Sequence, residues 1–136
     1  MDVKTVFLNG SLKEEIYMDQ PIRFASKGQE DNVCRLKRSI YGLKQSSRSW
    51  YLRLHEAITL FGLSEFSKEH YAYVKKSTEG IMFFTQYVDN ILLVGNNLEI
   101  IEATMKCLSS VFEIMDMGEV RYVLHVEIIR NLPKKL

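Results

Sequence analysis

An aspartate followed by an asparagine, Asp89-Asn90, lies between two apolar runs, Ile81–Val88 and Ile91–Val94. A carboxylate in that setting must sit at a turn or meet a partner, because burying it alone is costly. Both residue types form turns readily, so a hairpin tip accounts for them without any chemistry. The sharper expectation is a metal ligand, since an aspartate on a rigid hairpin tip can hold a hard cation such as Mg²⁺. A second aspartate, Asp2, adjoins another apolar segment, but no spacing argument joins it to Asp89. The other cluster is basic. Between Arg35 and Arg53 lie six cations (Arg35, Lys37, Arg38, Lys44, Arg48, Arg53) and no acid, interleaved with Tyr41, Trp50 and Tyr51. In a chain of net charge +1 this fits a phosphate-contacting face, and equally a solvated helix flank with Trp50 in the core. Gly42, inside the stretch, would let a ligand approach the backbone closely. His55, His70 and His125 fall in separate elements with no cysteine or carboxylate at ligand spacing.

These residues need a scaffold. The 136 residues, 46% hydrophobic and 26% charged, suit one globular domain and exclude a disordered tail, a fibrous repeat or a disulfide framework. Net charge signals neither nucleic acid nor membrane, and the apolar runs are too short to span a bilayer. Cys34 and Cys107 lie in no metal or redox spacing, which points to reduced thiols in an intracellular protein. Asp2-Val3-Lys4 looks like the end of a strand begun earlier, and the last residues follow a strand directly, as if the chain were cut at both ends.

Val6–Leu8 is apolar and runs into a turn at Asn9-Gly10-Ser11. A long excursion over 20–32 precedes a short strand over Val33–Leu36. The spacing of Trp50, Leu54, Ile58 and Phe61 predicts a helix over 45–61, with Ser46 or Ser47 as cap and Gly62 as stop. Strands are expected at Ala72–Val74, Ile81–Val88 and Ile91–Val94, the last two apolar enough to be covered on both faces. Asn97 would cap a second helix burying Leu98, Ile101, Met105, Leu108 and Phe112. Alternation from Val120 to Ile128 predicts a final half-buried strand. The sum is α+β: an antiparallel sheet with helices on one face, a split βαβ arrangement.

Several blocks together resemble copia-type retrotransposon reverse transcriptases. Met1-Asp2-Val3-Lys4-Thr5-Val6-Phe7-Leu8-Asn9-Gly10 is similar to that family's MDVKTAFLNG, and Glu15-Ile16-Tyr17-Met18-Asp19-Gln20-Pro21 to its EIYMxQP. Ser39-Ile40-Tyr41-Gly42-Leu43-Lys44-Gln45, with Arg48 and Trp50, resembles SLYGLKQAPRxW, and Tyr87-Val88-Asp89-Asn90 stands where the family has YVDD. Met117-Gly118-Glu119, Tyr122, Leu124 and Glu127-Ile128 resemble DLGxxxxFLGIEI. The matches run in order over almost the whole chain.

The resemblance implies a ferredoxin-like palm with part of the fingers, a partial reverse transcriptase domain over residues 1–136. The implied activity is RNA-directed DNA synthesis by two-metal nucleotidyl transfer, with Mg²⁺ or Mn²⁺ as cofactor. Its implied partners are an RNA or DNA template with primer, deoxynucleoside triphosphates and the remainder of the retrotransposon polyprotein, with no membrane. A cytoplasmic virus-like particle and the nucleus both remain open as locations. The family's three carboxylates fall on Asp2, Asp89 and position 90, so catalysis would rest on Asp2, Asp89 and Asn90, with Val3 completing the metal shell. Phe7 matches the aromatic residue that screens out the ribose 2′-hydroxyl, and Val6, Gly42 and Tyr87 would border the nucleotide. Lys37, Arg38, Lys44, Gln45 and Arg48 would meet nucleic acid.

The departures carry weight. Asn90 removes a full negative charge from a site that works by electrostatic clamping, so the expected chain is impaired or inactive. Ser47 replaces a proline, Val6 an alanine and His125 a glycine. The competing expectation is a non-catalytic nucleic-acid-binding or interaction remnant that uses the basic Arg35–Arg53 face.

Overall fold

The computed structural model describes residues 1–66 and 71–129; His70 and the last residues lie outside them. Its chain order is β1 (Asp2–Val3), a 3₁₀ turn (Val6–Asn9), β2 (Tyr17–Asp19), β3 (Val33–Arg35) and helix α1 (Ser46–Leu60). Then come β4 (Ser64–Glu65), β5 (Ala72–Ser77), β6 (Gly80–Tyr87), β7 (Asn90–Gly95), helix α2 (Leu98–Val111), β8 (Ile114–Met115), β9 (Tyr122–Val123) and β10 (Val126–Glu127). The main sheet has six strands in the order β4-β5-β6-β7-β1-β8, and every pairing in it is antiparallel. The protein is therefore α+β, with antiparallel sheets and two helices.

Alternation along β6 sets the two faces of the sheet. Met82 and Phe84 are fully buried, whereas Phe83 between them is 38% exposed. The buried set packs with Trp50, Leu54 and Ile58 of α1 and with Leu108 of α2 in a single core, so both helices cover the same face. Phe83 pairs with Val74 on one side and Val94 on the other, and Phe66 packs edge-on against it at 5.4 Å. Phe83 and Val94 are exposed. Coverage of both faces, expected from the apolar runs, is thus found on one face only among the described residues.

Helix α1 ends as its sequence predicts. Gly62 has φ 81°, and the Gly62 and Leu63 amides donate to Thr59 and Ile58 at 3.0 and 3.2 Å, a Schellman closure. Its start differs from expectation. Gln45 occupies the cap position without a side-chain bond, and Ser46 turns inward instead. The Ser39 hydroxyl donates to that of Ser46 at 2.8 Å, and Ser46 donates to the Ile40 carbonyl; both serines are buried. This chain of bonds ties the Ile40–Gln45 loop to the helix. Ser46→Ala is expected to cost about 1–3 kcal/mol, because the buried Ser39 hydroxyl loses its acceptor. The Ser39→Ala/Ser46→Ala double variant should regain part of that loss in urea melts, and strictly additive losses would refute the coupling.

Helix α2 is capped by Asn97, whose side chain accepts from the Glu99 amide at 2.9 Å. Leu108 and Phe112 are buried as expected and Ile101 packs partly buried against the core, but Ile100 and Thr104 are buried as well, and Leu98 is 68% exposed. Thr104 is tolerated inside because its hydroxyl donates to the Ile100 carbonyl at 2.9 Å.

The final strand is corrected outright. Residues 122–127 form a two-strand hairpin, β9 against β10, turning through Leu124 (φ 47°) and His125 (φ 66°). Both positions favour glycine, so alternating polarity concealed a turn made by residues that seldom form one. The family's glycine matches the His125 position, where the backbone asks for it.

Candidate functional site

Strand β1 is two residues long, yet it is inserted between β7 and β8. Asp2 pairs with Asn90 on one side and Met115 on the other, and the Val3 amide donates to the Asp89 carbonyl at 2.8 Å. The Lys4 ammonium meets the Glu113 carboxylate at 2.7 Å; that hydrogen bond, and then the charge of Glu113, raise the Lys4 pKa. Directly opposed residues of an antiparallel pair point to the same face. The two distant aspartates therefore come to one place: Asp2 faces Asn90, and Asp89 is its chain neighbour.

Asp89 is the second residue of a two-residue turn closed by the Tyr87–Asn90 pair. The first residue, Val88, has φ 54°, a conformation that costs a β-branched residue dearly. The Asn90 amide donates to the Asp89 carboxylate at 3.0 Å. Asp2 and Asp89 are both half-buried, and neither forms an ion pair among the described residues. No three His, Cys, Asp or Glu side chains gather into a metal-holding group among those residues. What the position offers is two carboxylates, one carboxamide oxygen and nearby backbone carbonyls. This is an all-oxygen set of the kind hard divalent cations take, one charge short of three acids.

The segment after β1 is held tightly. Thr5 also sits in the left-handed region, at φ 48°, with the Asn9 carboxamide within 3.3–3.4 Å of the Lys4, Thr5 and Val6 carbonyls. Phe7 packs edge-on to Tyr41 with ring centres 4.4 Å apart, which joins the 3₁₀ turn to the basic loop. Gly10 touches α1 so closely that a Cβ there would lie 2.9 Å from the Ser49 Cβ. The side chain of Val6 is fully buried and that of Val3 is 2% exposed. Val6 therefore has no surface on which to border a nucleotide, and that expectation is corrected.

Of the six clustered cations, Arg35 pairs with Glu15 at 2.7 Å and Arg53 with Glu56 at 3.4 Å. Lys37, Arg38, Lys44 and Arg48 are exposed and form no ion pair among the described residues. Gly42 has φ 92° with open space where a Cβ would stand, so its backbone conformation, not crowding, calls for glycine. Lys44 and Arg48 line a cavity of about 890 Å³ together with Phe7, Tyr51, Tyr71 and Tyr87. Tyr51, one helical turn from Arg48, is one of the aromatics interleaved with the cations in the sequence, whereas Tyr71 carries no such signal. The buried serine pair left no sequence signal, since two hydroxyls seven residues apart have no distinguishing pattern.

The profile of the family described as "Reverse transcriptase (RNA-dependent DNA polymerase)" matches residues 1–133. The chain is 35% identical over its full length to the retrovirus-related Pol polyprotein from transposon RE2 of Arabidopsis thaliana. It is 36% identical over 132 residues, 96% of the chain, to that from transposon TNT 1-94 of Nicotiana tabacum. It spans 9% and 10% of those two polyproteins. To the putative transposon Ty5-1 protein of Saccharomyces cerevisiae it is 30% identical over 128 residues, 94% of the chain and 42% of that protein. No solved structure matches. The chain belongs to the reverse transcriptase family, in its copia-type retrotransposon branch. Among the described residues no helix is long and apolar enough to cross a membrane.

Proposed function

We propose that residues 1–136 are the palm, with part of the fingers, of a copia-type reverse transcriptase. In this reading they extend a primer on an RNA or DNA template from deoxynucleoside triphosphates, and Asn90 impairs the reaction. The observation that carries the proposal is the register of β1. It sets Asp2 opposite Asn90 and beside Asp89, two half-buried carboxylates without a cation among the described residues. The oxygen donors fit Mg²⁺ or Mn²⁺, which when bound activate the primer hydroxyl and stabilise the charge of the departing pyrophosphate. Asp2 and Asp89 are the ligands, and the Val3 carbonyl adds a neutral oxygen. Phe7, braced by Tyr41, screens the sugar; Gly42 and Tyr87 border the incoming nucleotide. Lys37, Arg38, Lys44, Gln45 and Arg48 follow the template-primer backbone, and the rest of the Pol polyprotein completes the grip.

The test is titration of a labelled primer-template into the chain across a salt series, with and without Mn²⁺ and a deoxynucleoside triphosphate. Four free cations predict a log–log salt slope of about −3 to −4, falling by about two in a Lys44→Ala/Arg48→Ala variant. Triphosphate and Mn²⁺ together should raise the melting temperature of the wild type and leave Asp89→Asn unmoved. A steep salt slope with no Mn²⁺ effect in either protein would overturn the catalytic reading. It would favour the nucleic-acid-binding remnant built on the same four exposed cations.

A further inference from the structure

The strained turn before Asp89 is held by side chains that no metal or substrate role accounts for. The Val88 carbonyl accepts two of them, the Trp50 indole N–H at 3.1 Å and the Gln86 carboxamide at 2.8 Å. One residue on, the Asp89 carbonyl takes the Val3 amide. The peptide plane between Val88 and Asp89 is therefore fixed from α1 and from β6, and the next one, between Asp89 and Asn90, from β1. Trp50 is itself buried: it is 2% exposed and packs edge-on against Phe112, at the end of α2, with ring centres 5.1 Å apart. Filling the core would need only an aromatic ring there. The indole N–H adds a donor aimed at one carbonyl, and that carbonyl belongs to the residue whose backbone is out of place for its type.

We propose that Trp50 is a positioning residue for Asp89. Its indole N–H, helped by Gln86, clamps the Val88 carbonyl, keeps Val88 in the left-handed conformation and so sets where the Asp89 carboxylate stands relative to β1. The inference rests on the reading of Asp2 and Asp89 as a divalent-metal pair. A strained residue next to a functional carboxylate persists only where its surroundings over-determine it, and two side-chain donors on one carbonyl provide that. Glycine at position 88 would hold the same turn without a clamp.

The experiment measures Mn²⁺ affinity, by water-proton relaxation, for the whole chain, Trp50→Phe, Val88→Gly and the double variant. Trp50→Phe keeps a ring in the core and removes only the donor. It should weaken Mn²⁺ binding about tenfold, the scale on which outer partners tune metal ligands. In the Val88→Gly background the same change should weaken it by no more than about twofold, because glycine needs no clamp. A purely structural tryptophan would lower the melting temperature equally in both backgrounds and leave both affinities unmoved; that result overturns the proposal. If Trp50→Phe does not fold, Gln86→Ala removes the second donor from a half-buried position, and an unchanged affinity there also overturns it. If the wild type binds no Mn²⁺, the metal reading fails, and the clamp is judged by the Val88 amide–Hα coupling. A coupling altered in Trp50→Phe upholds the clamp, and an unaltered one refutes it.

Discussion

Asn90→Asp is expected to tighten Mn²⁺ binding about a hundredfold, and to raise nucleotidyl transfer by about two to four orders of magnitude where primer and template are gripped. Position 90 lies opposite Asp2 in register, and its amide now donates to Asp89 at 3.0 Å. That amide brings a neutral oxygen where the family's third acid brings a charge. It also occupies one oxygen of the Asp89 carboxylate, so two changes act in one direction when an acid replaces it. The cost falls on the metal-free protein. Three carboxylates would then crowd one hairpin tip, so without Mn²⁺ the variant should melt below the wild type, and saturating Mn²⁺ should reverse the order. Equal Mn²⁺ affinities in the two proteins would remove the amide from any account of activity. Primer extension at equal rates would do the same.

Phe84→Ala should abolish cooperative melting, whereas Phe83→Ala, one residue away, should leave it intact. Phe84 is fully buried and packs edge-on to Tyr73 with ring centres 5.8 Å apart. Truncating a phenylalanine at such a site costs about 3–5 kcal/mol, a large part of the 5–15 kcal/mol that holds a domain together. Phe83 points to the open face, and its loss should stay near about 1 kcal/mol. Circular dichroism melts of both variants test the sheet register itself. A shift by one residue would exchange the two results, because it turns every side chain of the strand over.

Several elements were legible because their signals are local. The β6–β7 hairpin, the Gly62 stop and the Asn97 cap each depend on a few neighbouring residues with distinctive chemistry. The α2 stripe was read with Leu108 and Phe112 in place but without Thr104, because counting apolar residues passes over a threonine buried with its hydroxyl satisfied inside the helix. The β9–β10 turn was missed because Leu124 and His125 carry none of the usual turn chemistry. The site divides in the same way. Asp89 was visible as a carboxylate between apolar runs and the basic stretch as a charge imbalance. The partnership of Asp2 with the 89–90 turn is a strand pairing across most of the chain, and residue spacing does not encode it. Only the resemblance to a family joined them. The indole bond from Trp50 to Val88 was hidden for the same reason, since a helical stripe explains the ring and is silent about its N–H.

During synthesis the two halves of the site leave the ribosome far apart in time. The Met1 ammonium bonds a carbonyl 90 residues away, and Lys4 meets an acid 109 residues away. The β5–β6–β7 meander can pair as it emerges, because its contacts are close in sequence. Strand β1 has no seat until β7 is in place, and no second neighbour until β8 has followed α2. The apolar stretch around Val3 and Val6 must then stay without its partners until those strands emerge, an exposure that invites chaperones or aggregation. The corner that brings Asp2 beside Asp89 thus forms only after β7 and β8 have emerged, and slow or interrupted elongation would harm it.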